Sequence, residues 1–211
     1  MTTQVRHPIF ARMYARLSVA ADASGAQDHR ERLLRGLRGE VVEIGAGNGL
    51  NFRHYPDEVT RVVAVEPEPH LRTRAAAAAR EAGAPVEIVD GTADAIPLPG
   101  GSMDAAVASL VLCSVADQAV ALAEIRRVLR PGGELRFYEH VAAADGRWSK
   151  RQRRIDPLWT RIAGGCHLTR DTEAAIGAAG FRIEACDRFL FQPCCLARAA
   201  APHILGVARR P

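Results

Sequence analysis

A glycine-rich turn after a short apolar run is the part of the sequence with the most chemical content. Gly45, Gly47 and Gly49 follow the run Val41–Ile44 directly, and Glu43 lies within that run. Glycine lets the backbone turn tightly and come close to a ligand, because no Cβ stands in the way. In an open α/β sheet such a turn lies at the carboxyl end of a strand, where ligands bind. The spacing therefore predicts a nucleotide-like ligand at this edge.

Two acidic residues narrow the chemistry of that ligand. A dinucleotide fingerprint requires glycine at position 50, where this chain has Leu50. Glu43 would repel a pyrophosphate but would attract a cation such as S-adenosylmethionine, which carries a sulfonium and an ammonium group. Glu66 ends the next apolar run, about 20 residues beyond the glycines, where a carboxylate can accept both ribose hydroxyls.

Alternating strand and helix patterns must position these residues, and they are typical of a mainly parallel sheet covered on both faces. The short β-branched runs predict strands at 41–44, 61–65, 86–89, 105–108, 134–139, 181–187 and 203–208. Helices are predicted over 69–82, from the N-cap Asp117 to the stop at Pro131, over 148–163 with a kink or break at Pro157, and over 169–180. A loop is expected at 189–201.

Together these segments resemble the class I methyltransferases. The matching residues are Glu43-x-Gly45-x-Gly47-x-Gly49, Val65-Glu66-Pro67, Asp-Gly-Thr-Ala-Asp at 90–94 and the turn at 129–133. The resemblance implies an α/β, Rossmann-like fold whose seven-stranded, mainly parallel sheet has an antiparallel late strand and helices on both faces. It implies S-adenosylmethionine as cofactor, with Ala93 and Asp94 beside the adenine and Leu110 under the methionine portion. The predicted cofactor-binding residues are Tyr14, Glu43, Gly45, Ala46, Gly47, Gly49, Asn51, Glu66, Pro67, Ala93, Asp94 and Leu110.

The segments 110–115, 139–170 and 202–204 resemble the methyltransferase-like thiol S-methyltransferases of animal membranes and their soluble bacterial relatives. This resemblance implies methyl transfer to the thiol of a small molecule or natural product. N- or O-methylation of a small molecule or a phospholipid head group stays open, as does a non-catalytic cofactor-binding protein. The animal proteins begin with a hydrophobic anchor that is not seen here, so stable membrane insertion is not expected. The predicted substrate-binding residues are Cys113, Trp148, Gln152, Trp159, His167 and Arg170.

The predicted catalytic residues are His140 and Asp156. His140 follows the fifth strand, where it either accepts a thiol proton, stabilises a thiolate, or orders the loop by a backbone hydrogen bond. Asp156 either orients His140 or pairs with Arg153. Trp148 and Trp159 are either an aromatic wall of the acceptor pocket or part of the core.

Residues 1–38 are predicted to form a lid and the first helices, ahead of a methyltransferase domain at 39–211. A basic amphipathic helix there either lies on a membrane or covers the cofactor, and five apolar residues are too few for firm membrane binding. We therefore expect a lid whose Tyr14 reaches the active site. The apolar face consists of Ile9, Phe10, Met13, Tyr14 and Leu17.

Composition limits the remaining partners. The 211 residues suffice for one compact domain, and with neither a secretory signal nor the roughly 20-residue apolar stretch of a membrane helix we expect a cytoplasmic protein. The net charge of +4 is carried mostly by arginine, densest at 147–154, without the aromatic interleaving that favours nucleic acid. The five cysteines contain no C-x-x-C pair, so we predict neither a disulfide framework nor a metal site. Monomer and homodimer are both compatible with the sequence.

Overall fold

The computed structural model of the protein describes residues 8–211, except for the side chains of Pro8, Ile9, Cys195 and Leu196. Strands and helices alternate through most of this range. The helices are α1 (Pro8–Ala21), α2 (Gln27–Leu34), α3 (Pro69–Ala79), α4 (Gln118–Val128), α5 (Gly146–Ile162) and α6 (Thr172–Ala178). The strands are β1 (Gly39–Ile44), β2 (Val59–Val65), β3 (Val86–Val89), β4 (Met103–Ser109), β5 (Leu129–His140), β6 (Arg182–Leu190) and β7 (Pro202–Arg209).

The seven strands form one sheet in the order β3-β2-β1-β4-β5-β7-β6. All neighbours are parallel except at β7, which runs antiparallel to both β5 and β6. This confirms the predicted fold class. The chain leaves β1 toward one edge of the sheet and returns at β4 to build the other edge. Ile44 of β1 pairs with Ala108 of β4, so the carboxyl ends of these two strands meet at the switch point where such sheets bind ligands.

Both faces of the sheet are covered, because side chains along each central strand alternate between two cores. On one face Val42 and Val63 pack with the apolar side of α4 and with Ile176 of α6. On the other face, Val41 packs with residues from α2, α3 and the segment around Phe52. The sheet therefore holds the turns at its carboxyl edge on a rigid base.

Several element boundaries differ from the sequence prediction. Of the kink or break predicted at Pro157, the break is wrong, because α5 runs as one helix from Gly146 to Ile162. Pro157 lacks the backbone N–H that the helix would otherwise use, but the side chains of Gln152 and Asp156 on the flanking turns bind neighbouring segments and hold the helix in place. The last helix is shorter than predicted, since Asp171 caps it by accepting the Ala174 N–H. The predicted loop at 189–201 contains the end of β6 and a 3-10 turn at Cys195–Ala200.

Asp117 caps α4 as predicted, accepting the backbone N–H groups of Ala119 and Val120. Between α1 and α2 the chain passes through a π-helical turn at Asp22–Ala26, in which Gly25 has φ of 110°. Within residues 8–211, no helix combines the length and the apolar character needed to cross a lipid bilayer.

Candidate active site

The glycine turn after β1 has the shape that the sequence predicts. Gly45, Gly47 and Gly49 have φ of 62°, 59° and 80°, in the left-handed region that L side chains rarely adopt. A Cβ on Gly45 would lie 2.5 Å from Cγ2 of Val111. The turn after β1 thus packs directly on the loop after β4, and glycine is needed for that approach.

Glu66 joins the end of β2 to this turn. The buried carboxylate accepts the Gly47 N–H through Oε2 at 2.8 Å and the Glu68 N–H through Oε1 at 2.9 Å. Burial raises its pKa, while those two backbone donors lower it. Glu66 therefore lies against the glycine turn, in the position where a carboxylate can accept ribose hydroxyls. Pro67 follows it, half-buried, and Ala46 is buried within the turn.

Glu43 lies beneath the turn and is only 2% exposed. Its Oε1 accepts the Asn51 amide at 2.8 Å, and its Oε2 accepts the Tyr55 hydroxyl at 2.8 Å. Burial raises its pKa to about 7. Glu43 and Asn51 are therefore bound to each other, and they fix the base of the cofactor turn from below.

Arg30 also contacts the residues beneath the glycine turn, and it was not among the predicted site residues. The side chain is buried, and its Nε donates to Asp22 Oδ1 at 2.8 Å. Its Nη1 donates to Asn51 Oδ1 at 2.9 Å and to Ser109 Oγ at 3.3 Å. One guanidinium thus ties the turn after β1 to the end of β4. An arginine in a charged helical segment gives no sequence signal for such a role.

The first helix covers the turn, with Tyr14 at the point of contact. A Cβ on Gly47 would lie 3.2 Å from Cε1 of Tyr14, and a Cβ on Gly164 would overlap the Phe10 ring. Burial raises the pKa of the Tyr14 hydroxyl. The helix therefore spans from the glycine turn to the segment after α5. The side chain of Ile9 lies outside the part of the chain that the structure describes.

The predicted inner face of α1 is partly wrong. Met13 and Leu17 are 43% and 59% exposed, whereas Ala11 and Ala15 are buried against Leu71 of α3. The small alanines let the two helices approach closely, and this turns the larger side chains outward.

At the predicted adenine end, the chain makes a tight turn after β3, in which Thr92 and Ala95 form an isolated bridge. Ala93 packs against the edge of the core, and Asp94 is exposed. An exposed carboxylate at this turn is available to a ligand at the sheet edge.

Glu139 organises the loop after β4, which the sequence analysis did not anticipate. Its fully buried carboxylate accepts the N–H groups of Val111 at 3.0 Å, Leu112 at 2.9 Å and Cys113 at 3.0 Å. Burial raises its pKa to about 6, and the backbone donors oppose that shift. Leu110, just before these residues, has φ of 59° and donates its N–H to Tyr138 O at 2.7 Å. A bulky residue in this region is strained and persists only where its surroundings hold it.

Arg170, a predicted substrate-binding residue, supports the same loop. Its guanidinium donates to Leu112 O at 2.5 Å and to Val115 O at 2.5 Å. These bonds tie Arg170 to the loop carbonyls and use part of its five N–H donors.

His140 lies between two thiols. Its Nδ1 is 3.8 Å from Cys113 Sγ and 3.4 Å from Cys166 Sγ. The ring also meets His203 edge-on, with centroids 4.5 Å apart. His203 is buried, which lowers its pKa to about 3 and keeps it neutral, with its Nδ1 bound to Ala201 O. His140 itself is half-buried, so it remains reachable from the site.

Asp156 has neither of the predicted partners. Its Oδ2 is 3.0 Å from His167 Nδ1, and its Oδ1 accepts the Leu168 N–H. Arg153 instead donates to Ser149 within α5. Asp156 therefore holds the segment after α5 and does not orient His140. The reason is its place on the last turns of α5, which face that segment.

Gln152 also has a structural role in place of the predicted one. It is fully buried, and its Oε1 accepts the Ala143 N–H at 2.7 Å while its Nε2 donates to Ala199 O at 2.9 Å. The two tryptophans are both half-buried. The indole N–H of Trp159 is buried and makes no hydrogen bond within the described residues.

These residues fit S-adenosylmethionine. The cofactor is a cation at its sulfonium and ammonium groups, and the turn region contains the buried acidic side chains of Glu43 and Glu66. A Cβ at Gly47 would fill the space between the turn and Tyr14. Both observations match a ligand that needs close backbone approach and carries positive charge, which would favour the ionised forms of these two carboxyl groups.

Comparison with known proteins identifies methyltransferases as relatives of this chain. Residues 42–137 match the family model described as a methyltransferase domain. Human thiol S-methyltransferase TMT1B is 40% identical over 182 residues, which cover 83% of this chain and 73% of that protein. Human thiol S-methyltransferase TMT1A is 37% identical over 145 residues, covering 67% of this chain and 59% of that protein.

Solved structures show the shared fold. One, described as an S-adenosylmethionine-dependent methyltransferase and possible histamine N-methyltransferase from Thermotoga maritima, has a TM-score of 0.68 at 21% identity, covering 96% of this chain and 98% of that one. Geranyl diphosphate methyltransferase in complex with S-adenosylmethionine has a TM-score of 0.68 at 16% identity, covering 89% and 85%. With S-adenosylmethionine as its cofactor, the chain belongs to the class I methyltransferases, in the family of the thiol S-methyltransferases TMT1A and TMT1B.

Proposed function

We propose that the protein methylates the thiol of a small molecule, producing a methyl thioether and S-adenosylhomocysteine. The observation that carries this proposal is the half-buried His140, held at the carboxyl end of β5 with Nδ1 between two cysteine sulfurs. The 40% identity to human thiol S-methyltransferase TMT1B supports it.

The cofactor supplies an activated methyl group on a sulfonium, so the protein needs mainly to align the acceptor with it. The turn Gly45–Gly49 and Glu66 would hold the nucleoside part. Tyr14 on α1 would cover it and exclude water. Leu110, held by its bond to Tyr138, would lie under the methionine part.

An imidazole is suited to a thiol acceptor more than to an amine or a phenol. Ordinary thiols titrate near 8.5 and imidazole near 6.5, so moving the proton costs about 3 kcal/mol. An amine or phenol near 10 raises that cost to about 5 kcal/mol. His140 would accept the thiol proton or stabilise the thiolate, while His203 stays neutral beside it.

The acceptor would lie against His140 and the rings of Trp148, Trp159 and His167. Gln152 and Arg170 are bound to backbone groups, so they would hold the segments that form this pocket.

Labelled S-adenosylmethionine offered with a panel of thiols, amines and phenols tests the proposal directly. We expect transfer to thiols. Transfer to amines or phenols alone would overturn the assignment, and no transfer to any acceptor would favour a binding protein.

The role of His140 in accepting the thiol proton can be tested separately. His140→Gln should lower thiol turnover by about 100-fold at pH 7, and the deficit should shrink toward pH 9 because the thiol then ionises without help. Binding of S-adenosylhomocysteine serves as the control and should not change. A deficit that is constant with pH would contradict this role.

A further inference from the structure

We propose that Cys113, His140 and Cys166 form a zinc site whose fourth coordination position takes the acceptor thiol. This inference deepens the proposed thiol methylation and rests on it. Three donor atoms, Sγ of both cysteines and Nδ1 of the histidine, all lie within 4.8 Å of one another. Two sulfurs and one imidazole nitrogen are a donor set that zinc prefers.

The distances agree with a shared metal ion. Zinc bonds are about 2.3 Å to sulfur and 2.0 Å to nitrogen, so two donors on one tetrahedral ion lie about 3.6 Å apart. The two sulfur–nitrogen distances here are 3.8 Å and 3.4 Å. Three protein ligands leave one position open, which is the pattern of catalytic rather than structural zinc sites.

The backbone holds the three ligands in place. Glu139 accepts the Cys113 N–H, and the Cys113 carbonyl accepts the His167 N–H at 2.8 Å. Cys166 follows Gly164 and Gly165, whose φ of 60° and 88° turn it toward the loop after β4. Such a preformed set needs little rearrangement to bind a metal.

Two hydrogen-bonding groups, on Ser114 and Trp159, lie near the cysteine sulfurs of the cluster. Ser114 Oγ is 3.5 Å from Cys113 Sγ. The Trp159 indole N–H beside Cys166 is buried and has no hydrogen-bond partner in the described part of the chain. An N–H that reaches a metal-bound thiolate would tune the charge on the sulfur.

The cluster also lies next to the cofactor turn. Val111, two residues before Cys113, would contact a Cβ on Gly45. The ring of Tyr14 packs on Gly47 in the same turn. A thiol bound at the fourth position would therefore be near the end of the cofactor that carries the methyl group.

The chemistry balances without a redox step. The acceptor thiol would bind the zinc as a thiolate and lose its proton to solvent, and His140 would then act as a zinc ligand through Nδ1 in place of accepting the proton. Its sulfur would form the new bond to the methyl carbon, while the bond from that carbon to the sulfonium sulfur breaks. The electron pair stays on that sulfur, which becomes neutral. The neutral thioether is a weak zinc ligand and leaves.

Cobalt(II) titration of the metal-free full-length protein tests the site. We expect binding near one equivalent, with a sulfur-to-cobalt charge-transfer band in the near ultraviolet. Cys113→Ser and Cys166→Ser should each weaken that band and the affinity. Cys186→Ser is the matched control, because Cys186 is a half-buried thiol on β6 outside the cluster, and it should bind as the wild type does.

Trp159→Phe guards against variants that fail to fold, since it keeps all three proposed ligands and an aromatic ring while it removes the indole N–H and part of the ring. It should lower cobalt and zinc affinity by about 10-fold, with an unchanged far-ultraviolet dichroism spectrum. Absence of the charge-transfer band in the wild type would overturn the zinc site. So would formation of a Cys113–Cys166 disulfide in place of metal binding.

Activity measurements with and without metal distinguish a failure of the zinc site from a failure of the proposed thiol methylation. Thiol methylation that is lost on metal removal and restored by zinc supports both. Full thiol methylation by metal-free protein overturns the zinc site and leaves the thiol assignment standing. Metal binding at the cluster, with methylation of amines or phenols only, overturns the thiol assignment and with it the role of the fourth position.

Discussion

Glu139 Oε2 accepts the backbone N–H of Cys113 at 3.0 Å, so a carboxylate at the end of β5 fixes a residue on the loop after β4. The same carboxylate also accepts the two preceding N–H groups. Three backbone donors on one buried side chain make the loop rigid, because each donor would be costly to leave without a partner.

Glu139→Gln should therefore lower the free energy of unfolding by about 2 kcal/mol, because an amide NH₂ would face backbone donors. Glu134→Gln is the control on the same strand. Glu134 pairs with Arg136 near the surface, so its loss should be below about 1 kcal/mol. Urea denaturation measures both values, and equal losses would contradict the role of Glu139.

Gly47→Ala should weaken binding of S-adenosylhomocysteine by more than 10-fold, because the new Cβ would press on Tyr14 and displace the lid. Gly36→Ala is a matched control for backbone strain. Gly36 also has positive φ, at 75°, but a Cβ there would meet open space. Isothermal calorimetry should show near-normal binding for Gly36→Ala. Equal weakening would assign the effect to strain alone.

Arg30→Met should destabilise the protein by about 3 to 5 kcal/mol, since it leaves the buried Asp22 without its main partner. Arg32→Met lies on the same helix and breaks the exposed pair with Asp187, which should cost less than about 1 kcal/mol. Chemical denaturation distinguishes the two. A small loss for Arg30→Met would mean that the buried pair does not hold the turn after β1.

Glu43 should make stability depend on pH. Its folded-state pKa of about 7 lies above the ordinary value of 4.5, so folding favours the protonated form. Its contribution to the unfolding free energy is complete below about pH 4.5 and is lost as the pH rises through 7. Between pH 5 and pH 8 the wild type should lose about 2 to 3 kcal/mol more than Glu43→Gln. Parallel pH curves for the two proteins would contradict this.

The sequence predicted the sheet and the cofactor turn well, because both depend on local patterns. Apolar runs of strand length and glycines at alternate positions reveal Val41–Ile44 and Gly45–Gly49 without knowledge of distant contacts. The partners of Arg30 and Asp156 depend instead on how helices pack, and spacing along the chain does not encode this. The same holds for Cys113, His140 and Cys166. His140 is 27 residues after Cys113 and 26 before Cys166, and the three meet only when β4, β5 and the segment after α5 are assembled.

The attachment of α1 at its two ends has a consequence for the order of events in turnover. Its carboxyl end leads into Asp22, which is held by the buried ion pair with Arg30, and its middle packs on Leu71 of α3 through Ala11 and Ala15. Among the described residues, Phe10 contacts Gly164, and a helix held most firmly at its carboxyl end would move most at this contact, near Cys166. A small movement of this end of α1 would let the acceptor thiol enter and the thioether leave. Release of S-adenosylhomocysteine from Gly47 would require a larger movement of the helix. We therefore expect ordered binding, with S-adenosylmethionine entering first and S-adenosylhomocysteine leaving last.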